Sequence, residues 1–368
     1  MSTDDRATAL IPANPGALLV GCGVVGEVHA NALAELAQRG QAHLAGVVDS
    51  DPARAERFGQ QWDVPWTTAL EEALRWPEVR IAHICTPSGL HAATGIQAAR
   101  AGKHLLVEKP IDVTLEAADR LIGACRAAGV SIGVVSQHRF DPGFRELRVA
   151  IREGRLGTLL LGEARVKWYR SQAYYQSAAW RGTRALDGGG ALINQSIHYV
   201  DLLLALCGPV ERVSAYTATA AHDIEVEDVA AAVLRFRNGA TGTILGSTAI
   251  FPGLSERLEI SGTNGTAIVE DGELVYLATQ DIVGAAGTHG RPWQDSARAT
   301  RAAHAPHAPP YGGRHTDQIA DFVDALRHGR PPEVTAADGR AALALVLAVY
   351  RAAATHREVP IDDAVASM

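Results

Sequence analysis

Lys109, in the stretch VEKP, and His198, in GGGALINQSIHYVD, are the two side chains of this sequence best suited to moving a proton. A lysine ammonium can hold a hydroxyl and favour its ionised form. An imidazole that titrates near neutrality can take the proton away. Asn194, His198 and Asp201 recur at i, i+4 and i+7, so helical periodicity puts them on one face, with Ile193, Ile197, Val200 and Leu204 opposite. On this reading Asn194 orients substrate or His198, and Asp201 is structural support a turn further on. The three glycines before the helix would let the backbone come close to a ligand or cofactor. The same pattern also describes a surface helix whose wet side includes a histidine, and Lys109 also reads as a lysine paired with Glu108 at a strand end. The surrounding elements must decide.

The apolar run ALLVG (17–21) leads into GCGVVG (21–26) and then a helical pattern, which is G-x-G-x-x-G after a strand and opening a helix. Gly21 permits the tight turn, Gly23 lets a pyrophosphate reach the backbone, and Gly26 lets helix and strand pack closely, with Val24 and Val25 between them. The helix N-terminus offers free N–H groups and partial positive charge to phosphates. Asp49 ends the next apolar run about 20 residues on, where an acid accepts the adenosine ribose hydroxyls and repels a 2′-phosphate. NAD is therefore expected as cofactor, with NADP left open because Ser50 and Arg54 lie close by. Strand and helix patterns alternate to about residue 136, which predicts a doubly wound parallel sheet with ligand beyond the strand C-termini. Thr86, Pro87, His91, Glu108, Lys109 and Pro110 fall at those ends, and all but Pro110 join the predicted cofactor site.

After about residue 140 the pattern changes to strands without intervening helices, with Asn238-Gly239 as a hairpin signal. This predicts an α/β second domain with a large, open, mainly antiparallel sheet, covered by helices on one face. A partner subunit would cover the other face, giving a homodimer or homotetramer. The stretch KWYRSQAYYQSAAWRGT (167–183) contributes Trp168, Arg170, Tyr175, Trp180 and Arg181 as candidate substrate-binding residues. Aromatic faces beside Arg and Gln suit a polyhydroxylated ligand, and the arginines admit phosphate or carboxylate. His315 opens a late helix and reads either as a further substrate contact or as a surface histidine at a cap. The expected organisation is a flexible 1–15, a dinucleotide domain over 16–138, and a substrate and oligomerisation domain over 139–368, its last helices packing back across the junction.

Two domains are natural for 368 residues. A net charge of −7 argues against nucleic acid or an anionic membrane as partner. The four cysteines are scattered, the N-terminus lacks a signal-peptide pattern, and no apolar run is long enough to span a bilayer, so a cytoplasmic protein is expected. His304 and His307, in the low-complexity stretch 283–312, read as solvated loop residues, and no metal is expected.

GCGVVG with Asp49, then CTPSGLH, VEKP and GGGALINQSIHYVDLLLALCG, in this order, resemble the Gfo/Idh/MocA oxidoreductases. The resemblance runs from about residue 16 to the C-terminus. It implies a Rossmann domain, a C-terminal α/β domain whose sheet makes oligomer contacts, and NAD(P)-dependent oxidation or reduction of a hydroxyl on a sugar, cyclitol or related carbohydrate. The family's EKP lysine falls on Lys109 and its second-domain histidine on His198. Where many members carry an aspartate four residues before that histidine, this chain has Asn194, which leaves a Lys/His pair in place of a triad. WRGT…GGGALINQSIHYVDLL looks most like a subgroup that includes dehydrogenases of nucleotide-linked amino-sugar uronates, acting at the 3-hydroxyl. Two other activities would use the same cofactor loop. One is cleavage of a glycosidic bond by transient oxidation. The other is non-catalytic NAD sensing, which has no need of Lys109 and His198 together.

Overall fold

A computed structural model of the chain describes residues 11–280 and 313–361. The first ten residues of the expected flexible start, and 283–312 with His304 and His307, lie outside the described residues. Two compact units emerge, one from residues 11–135 and 313–339, the other from 136–280 and 340–361.

In the first unit a six-stranded sheet is formed by β1 (Gly16–Val20), β2 (His43–Val48), β3 (Trp66–Thr67), β4 (Val79–Ile84), β5 (His104–Val107) and β6 (Ile132–Val134), in the order β3-β2-β1-β4-β5-β6. Every pairing in it is parallel. The intervening helices include α1 (Val24–Gln38), α2 (Pro52–Trp62), α3 (Leu70–Ala73), α4 (His91–Arg100) and α5 (Leu115–Ala128). Local chemistry sets their ends. Asp51 caps α2 by accepting from the Ala53 and Arg54 amides, Thr114 caps α5, and Gly129 stops α5 at φ +66°. Leu33, Leu36, Ile81 and Leu106 build a core that is completed by Phe322 and Val323, from a helix near the far end of the chain.

In the second unit α6 (Pro142–Arg152) precedes β7 (Leu159–Lys167), α7 (Gln172–Gln176) and α8 (Ile197–Cys207). Then come β8 (Val210–Ala218), β9 (Val229–Phe236), β10 (Thr241–Ser247), β11 (Arg257–Gly262), β12 (Gly265–Glu270) and β13 (Glu273–Thr279). The Phe322-bearing helix of the first unit is α9 (Gly313–His328); α10 (Ala336–Thr355) and β14 (Val359–Pro360) follow it. The eight strands run β13-β12-β11-β7-β10-β9-β8-β14 and are antiparallel except where β10 pairs with β7. The exception follows from connectivity, since two helices and two strands separate β7 from β10. The Asn238-Gly239 turn joins β9 to β10, with Gly239 at φ +92° and the Asn238 side-chain oxygen Oδ1 accepting from the Ala240 amide. Burial alternates along β9, with Ala230, Ala232, Leu234 and Phe236 inward. α8 packs on β7 so closely that a Cβ on Gly162 would lie 2.7 Å from the Cys207 sulfur. The opposite face carries Tyr216, 76% exposed, and Val233, 55% exposed.

The helix bearing His198 differs from its periodicity reading. Residues Ala191–Ser196 form a π-helical turn, and α8 proper starts at Ile197. Its polar positions are not its wet side: His198 and Asp201 are buried, while Ala205 is the exposed residue. Asp201 is accommodated by a bidentate bond from Arg139, at 2.7 and 2.6 Å, and by the Ser136 hydroxyl at 2.5 Å. Removing one partner strands a buried charge, which typically costs about 3–5 kcal/mol. Asp201→Ala is expected to lower stability to urea by about that amount. A loss under about 1 kcal/mol would show that the pair does not hold this helix.

Candidate active site

The nucleotide loop lies between β1 and α1. Gly21 takes φ +106°, where a Cβ would lie 2.5 Å from the Cys85 carbonyl oxygen. A Cβ on Gly26 would lie 2.3 Å from the Gly21 carbonyl oxygen, so helix and strand meet closely there. At Gly23 a Cβ would meet nothing within 4 Å. Gly23 is also the N-cap of α1 and supplies no side-chain cap, so first-turn N–H groups face an open space that a diphosphate fits. Val24 stands exposed at this opening, while Val25 packs inward against the core around Leu19, Val47 and Phe58. A cavity of about 720 Å³ begins at Gly23, Val24 and Arg54 and runs along α1 to Thr316 of α9.

Asp49, at the end of β2, is buried and accepts from the Cys22 amide at 2.8 Å and the Asp51 amide at 2.9 Å. Each carboxylate oxygen keeps acceptor capacity for a ribose hydroxyl. Arg54 lies 3.3 Å from Asp49, and Ser50 is exposed beside it. The Thr86 hydroxyl is buried with no hydrogen-bond partner among the described residues, as expected of a group awaiting a ligand. Pro87 follows it and opens the short helical turn Ser88–Leu90. These features fit a dinucleotide, which Gly21, Gly23, Gly26, Asp49 and Thr86 would hold.

His91 and Glu108, read from sequence as cofactor contacts, have other partners. The two nitrogens of buried His91 face the Pro110 carbonyl at 2.7 Å and the Thr86 carbonyl at 2.8 Å, so the ring braces one strand end against another. Burial pushes its imidazole below the ordinary value, against the pull of the two carbonyls. Glu108 accepts from the Lys109 amide at 3.1 Å and faces His29 Nε2 at 3.0 Å and His315 Nε2 at 3.6 Å. Burial would raise this carboxyl, but the bonds and charges of His29 and His315 outweigh it and hold the group well below the usual carboxylate range. His315 is therefore a buried member of the first unit, contrary to its reading as a surface cap residue. His29 continues to His83 at 2.8 Å, and burial holds His83 well below the normal histidine range. Lys109 is half-buried at the end of β5.

In the second unit two of the glycines before His198, Gly189 and Gly190, make room for other parts of the protein. A Cβ on Gly189 would lie 2.3 Å from the Tyr350 hydroxyl, and one on Gly190 would lie 1.8 Å from the Glu227 carbonyl oxygen. The buried Glu227 carboxylate accepts from the Gly190 and Leu192 amides and from the Tyr350 hydroxyl, at 2.8–2.9 Å, and thereby shapes the π turn. Burial pushes this carboxyl up, while those same bonds pull it down. Asn194, on the turn, donates to Asp187, whose other oxygen accepts from the Gly182 amide at 2.8 Å. The His198 ring packs edge-on against His138, with centroids 5.1 Å apart.

The aromatic stretch assembles around Tyr174. Arg170 and Arg181 both lie over its ring, at 5.3 and 4.4 Å, and they also stack on Trp168 and Trp180. Arg170 donates to Gln195, which in turn donates to Asn194, so this cluster and the π turn form one polar ladder. Tyr175 is buried, with its hydroxyl 2.7 Å from that of Thr248, and supports the ladder from behind. Sequence reasoning missed Asp187, Glu227, His138 and His29. Only Asp187, adjoining the three glycines, carried a local signal.

Residues 16–136 match the model of an oxidoreductase family with an NAD-binding Rossmann fold, and residues 144–268 match the GFO/IDH/MocA C-terminal domain. The chain is 29% identical to the inositol 2-dehydrogenase of Rhizobium meliloti, over 93% of this chain and 98% of that one. It is 30% identical to the 1,5-anhydro-D-fructose reductase of Ensifer adhaerens, over 80% and 84%. Among solved structures, the WlbA dehydrogenase of Bordetella pertussis, in complex with NADH and UDP-GlcNAcA, superposes with a TM-score of 0.83 at 31% identity, over 95% of this chain and 99% of that one. With a Rossmann unit built for a dinucleotide and a second unit on a mostly antiparallel sheet, this chain belongs to the Gfo/Idh/MocA family of NAD-binding oxidoreductases.

Proposed function

We propose that this protein moves a hydride between a secondary hydroxyl carbon of a sugar, nucleotide sugar or cyclitol and a nicotinamide, with Lys109 and His198 handling the hydroxyl proton. The observation that carries the reading is the grouping of the Gly23 opening, Asp49, Thr86 and Lys109 at the C-terminal edge of one parallel sheet, where such folds take their ligands. Bound NAD supplies the hydride acceptor. The Lys109 ammonium donates to the hydroxyl oxygen and stabilises it as the proton leaves, and His198 accepts that proton. A base of this kind is typically worth about 10²- to 10⁴-fold in rate. Glu108, His91 and His315 serve by holding the chain around Lys109.

Asn194, Trp168, Arg170, Trp180 and Arg181 bind the carbohydrate, with Tyr175 behind them. Anionic substrates are favoured within the class, because two guanidinium groups, those of Arg170 and Arg181, gather around Tyr174. The similarity to a dehydrogenase holding UDP-GlcNAcA points the same way. The outward face of the large sheet, with Tyr216 and Val233, is assigned to a second copy in a homodimer or homotetramer. The four cysteines are free and buried, in keeping with a cytoplasmic protein. No helix among the described residues is long and apolar enough to cross a membrane.

Lys109→Ala is expected to bind NAD as wild type does and to lose at least about 100-fold in turnover, as is His198→Ala. Undiminished activity in either variant, measured with purified enzyme, removes that residue from the reaction. Asp49→Ser removes a charged acceptor worth about 1.5–3 kcal/mol, so the KM for NAD should rise about 10- to 100-fold while that for NADP falls. Equal effects on both cofactors would contradict the ribose role. Light scattering should report a dimer or tetramer that Tyr216→Glu with Val233→Glu dissociates; a wild-type monomer refutes the assembly.

A further inference from the structure

His138 stands apart from the residues used so far. It lies on the short helical turn Gln137–Phe140, in the second unit, and its ring meets that of His198 edge-on at 5.1 Å and an interplanar angle of 72°. Its Nδ1 is 2.7 Å from the Asp141 carboxylate. Asp141 is the N-cap of α6, where an aspartate ordinarily bonds the helix amides, yet it makes no capping bond and faces His138 instead. Gly272 permits this, since a Cβ there would lie 2.8 Å from the Asp141 oxygen. A carboxylate at Nδ1 places the ring proton on that nitrogen and leaves Nε2 with a lone pair, the arrangement of an oriented base. The His138 side chain is 27% exposed, whereas His198 is buried. The other ionisable groups facing His138 are Tyr199 on α8 and Glu256 ahead of β11, and Glu256 in turn bonds Asp271 in the turn between β12 and β13. Burial, with a hydrogen bond to Asp271, pushes the Glu256 carboxyl up to about 7.

We propose that His138, oriented by Asp141, is the proton relay of the reaction, taking the substrate's proton from His198 and passing it to solvent. This rests on the reading of His198 as proton acceptor. The hydroxyl O–H bond breaks as an N–H bond forms on His198. That proton then moves to Nε2 of His138, directly or through one water, and leaves to bulk water as His198 regains its lone pair. In the reducing direction the same path runs backwards.

The test begins without substrate. Heteronuclear NMR of the intact protein should find neutral His138 protonated at Nδ1, and an Nε2–H tautomer would overturn the proposal. UDP-GlcNAcA and myo-inositol then serve as assayed substrates. His138→Gln is expected to lower kcat about 10- to 100-fold with KM and NAD binding near wild type, and added imidazole should restore turnover. Asp141→Asn, which removes the negative charge, should move the acid limb of the pH–rate profile to lower pH. A His138→Gln loss that imidazole does not restore, with an unmoved pH profile, would mark a merely structural residue and overturn the relay. Wild-type turnover in His138→Gln beside a dead His198→Ala overturns the relay alone, whereas wild-type turnover in both overturns the reading of His198 beneath it.

Discussion

A carboxylate taken out of water must find donors waiting for it, and two buried glutamates organise the two units on that requirement. Glu227 gathers the Gly190 and Leu192 amides and the Tyr350 hydroxyl, which bends the chain into the π turn ahead of His198. Glu108 takes the Lys109 amide and faces two imidazoles, which ties α1, the end of β5 and α9 together. The Lys109 amide thus bonds one buried anion, and the turn that leads into His198 is fastened to the other. Their backbones are held before any ligand arrives, and such preorganisation makes electrostatic catalysis effective.

The two units use different devices for their ligands. The first offers backbone: glycines, an uncapped helix start and a strand-end aspartate, which suit a diphosphate and a ribose. The second offers side chains, in a ladder from Arg170 through Gln195 and Asn194 to Asp187. Asn194 occupies the position where many relatives are expected to carry an aspartate, and here a carboxylate reaches it from Asp187 instead. The carboxyl group is displaced along the chain and bridged by an amide. π-helical turns often occur at functional positions, and this one presents Asn194 while burying Leu192 and Ile193.

Much of this was legible because it is local. GCGVVG, Asp49, the Thr114 cap, the Gly129 stop and the Asn238-Gly239 hairpin each follow from rules that act within a few residues. The parallel and antiparallel sheets followed from hydrophobic patterning in the same way. What escaped was set by distant partners. Glu227 lies 37 positions from Gly190, and Tyr350 lies 157 from Ile193, so neither contact leaves a periodic trace. For that reason the glycines read only as room for a ligand, although Gly189 and Gly190 also make room for Tyr350 and Glu227. The polar positions of α8 read as a wet face because periodicity cannot foresee that Arg139 would cover Asp201. His315 read as a substrate contact or a surface residue because its distant partner Glu108 is invisible from its own helix.

The central claim is that a carbohydrate hydroxyl is oxidised at the expense of NAD. The most direct measurement is the near-ultraviolet absorbance of reduced nicotinamide, with NAD⁺ supplied to purified protein across inositols, free sugars, glycosides and nucleotide sugars. The account predicts a rise with at least one of them, greatest among those carrying carboxylate or phosphate. No rise with any alcohol, together with no consumption of NADH by the matching ketones in a protein that binds the cofactor, would contradict it.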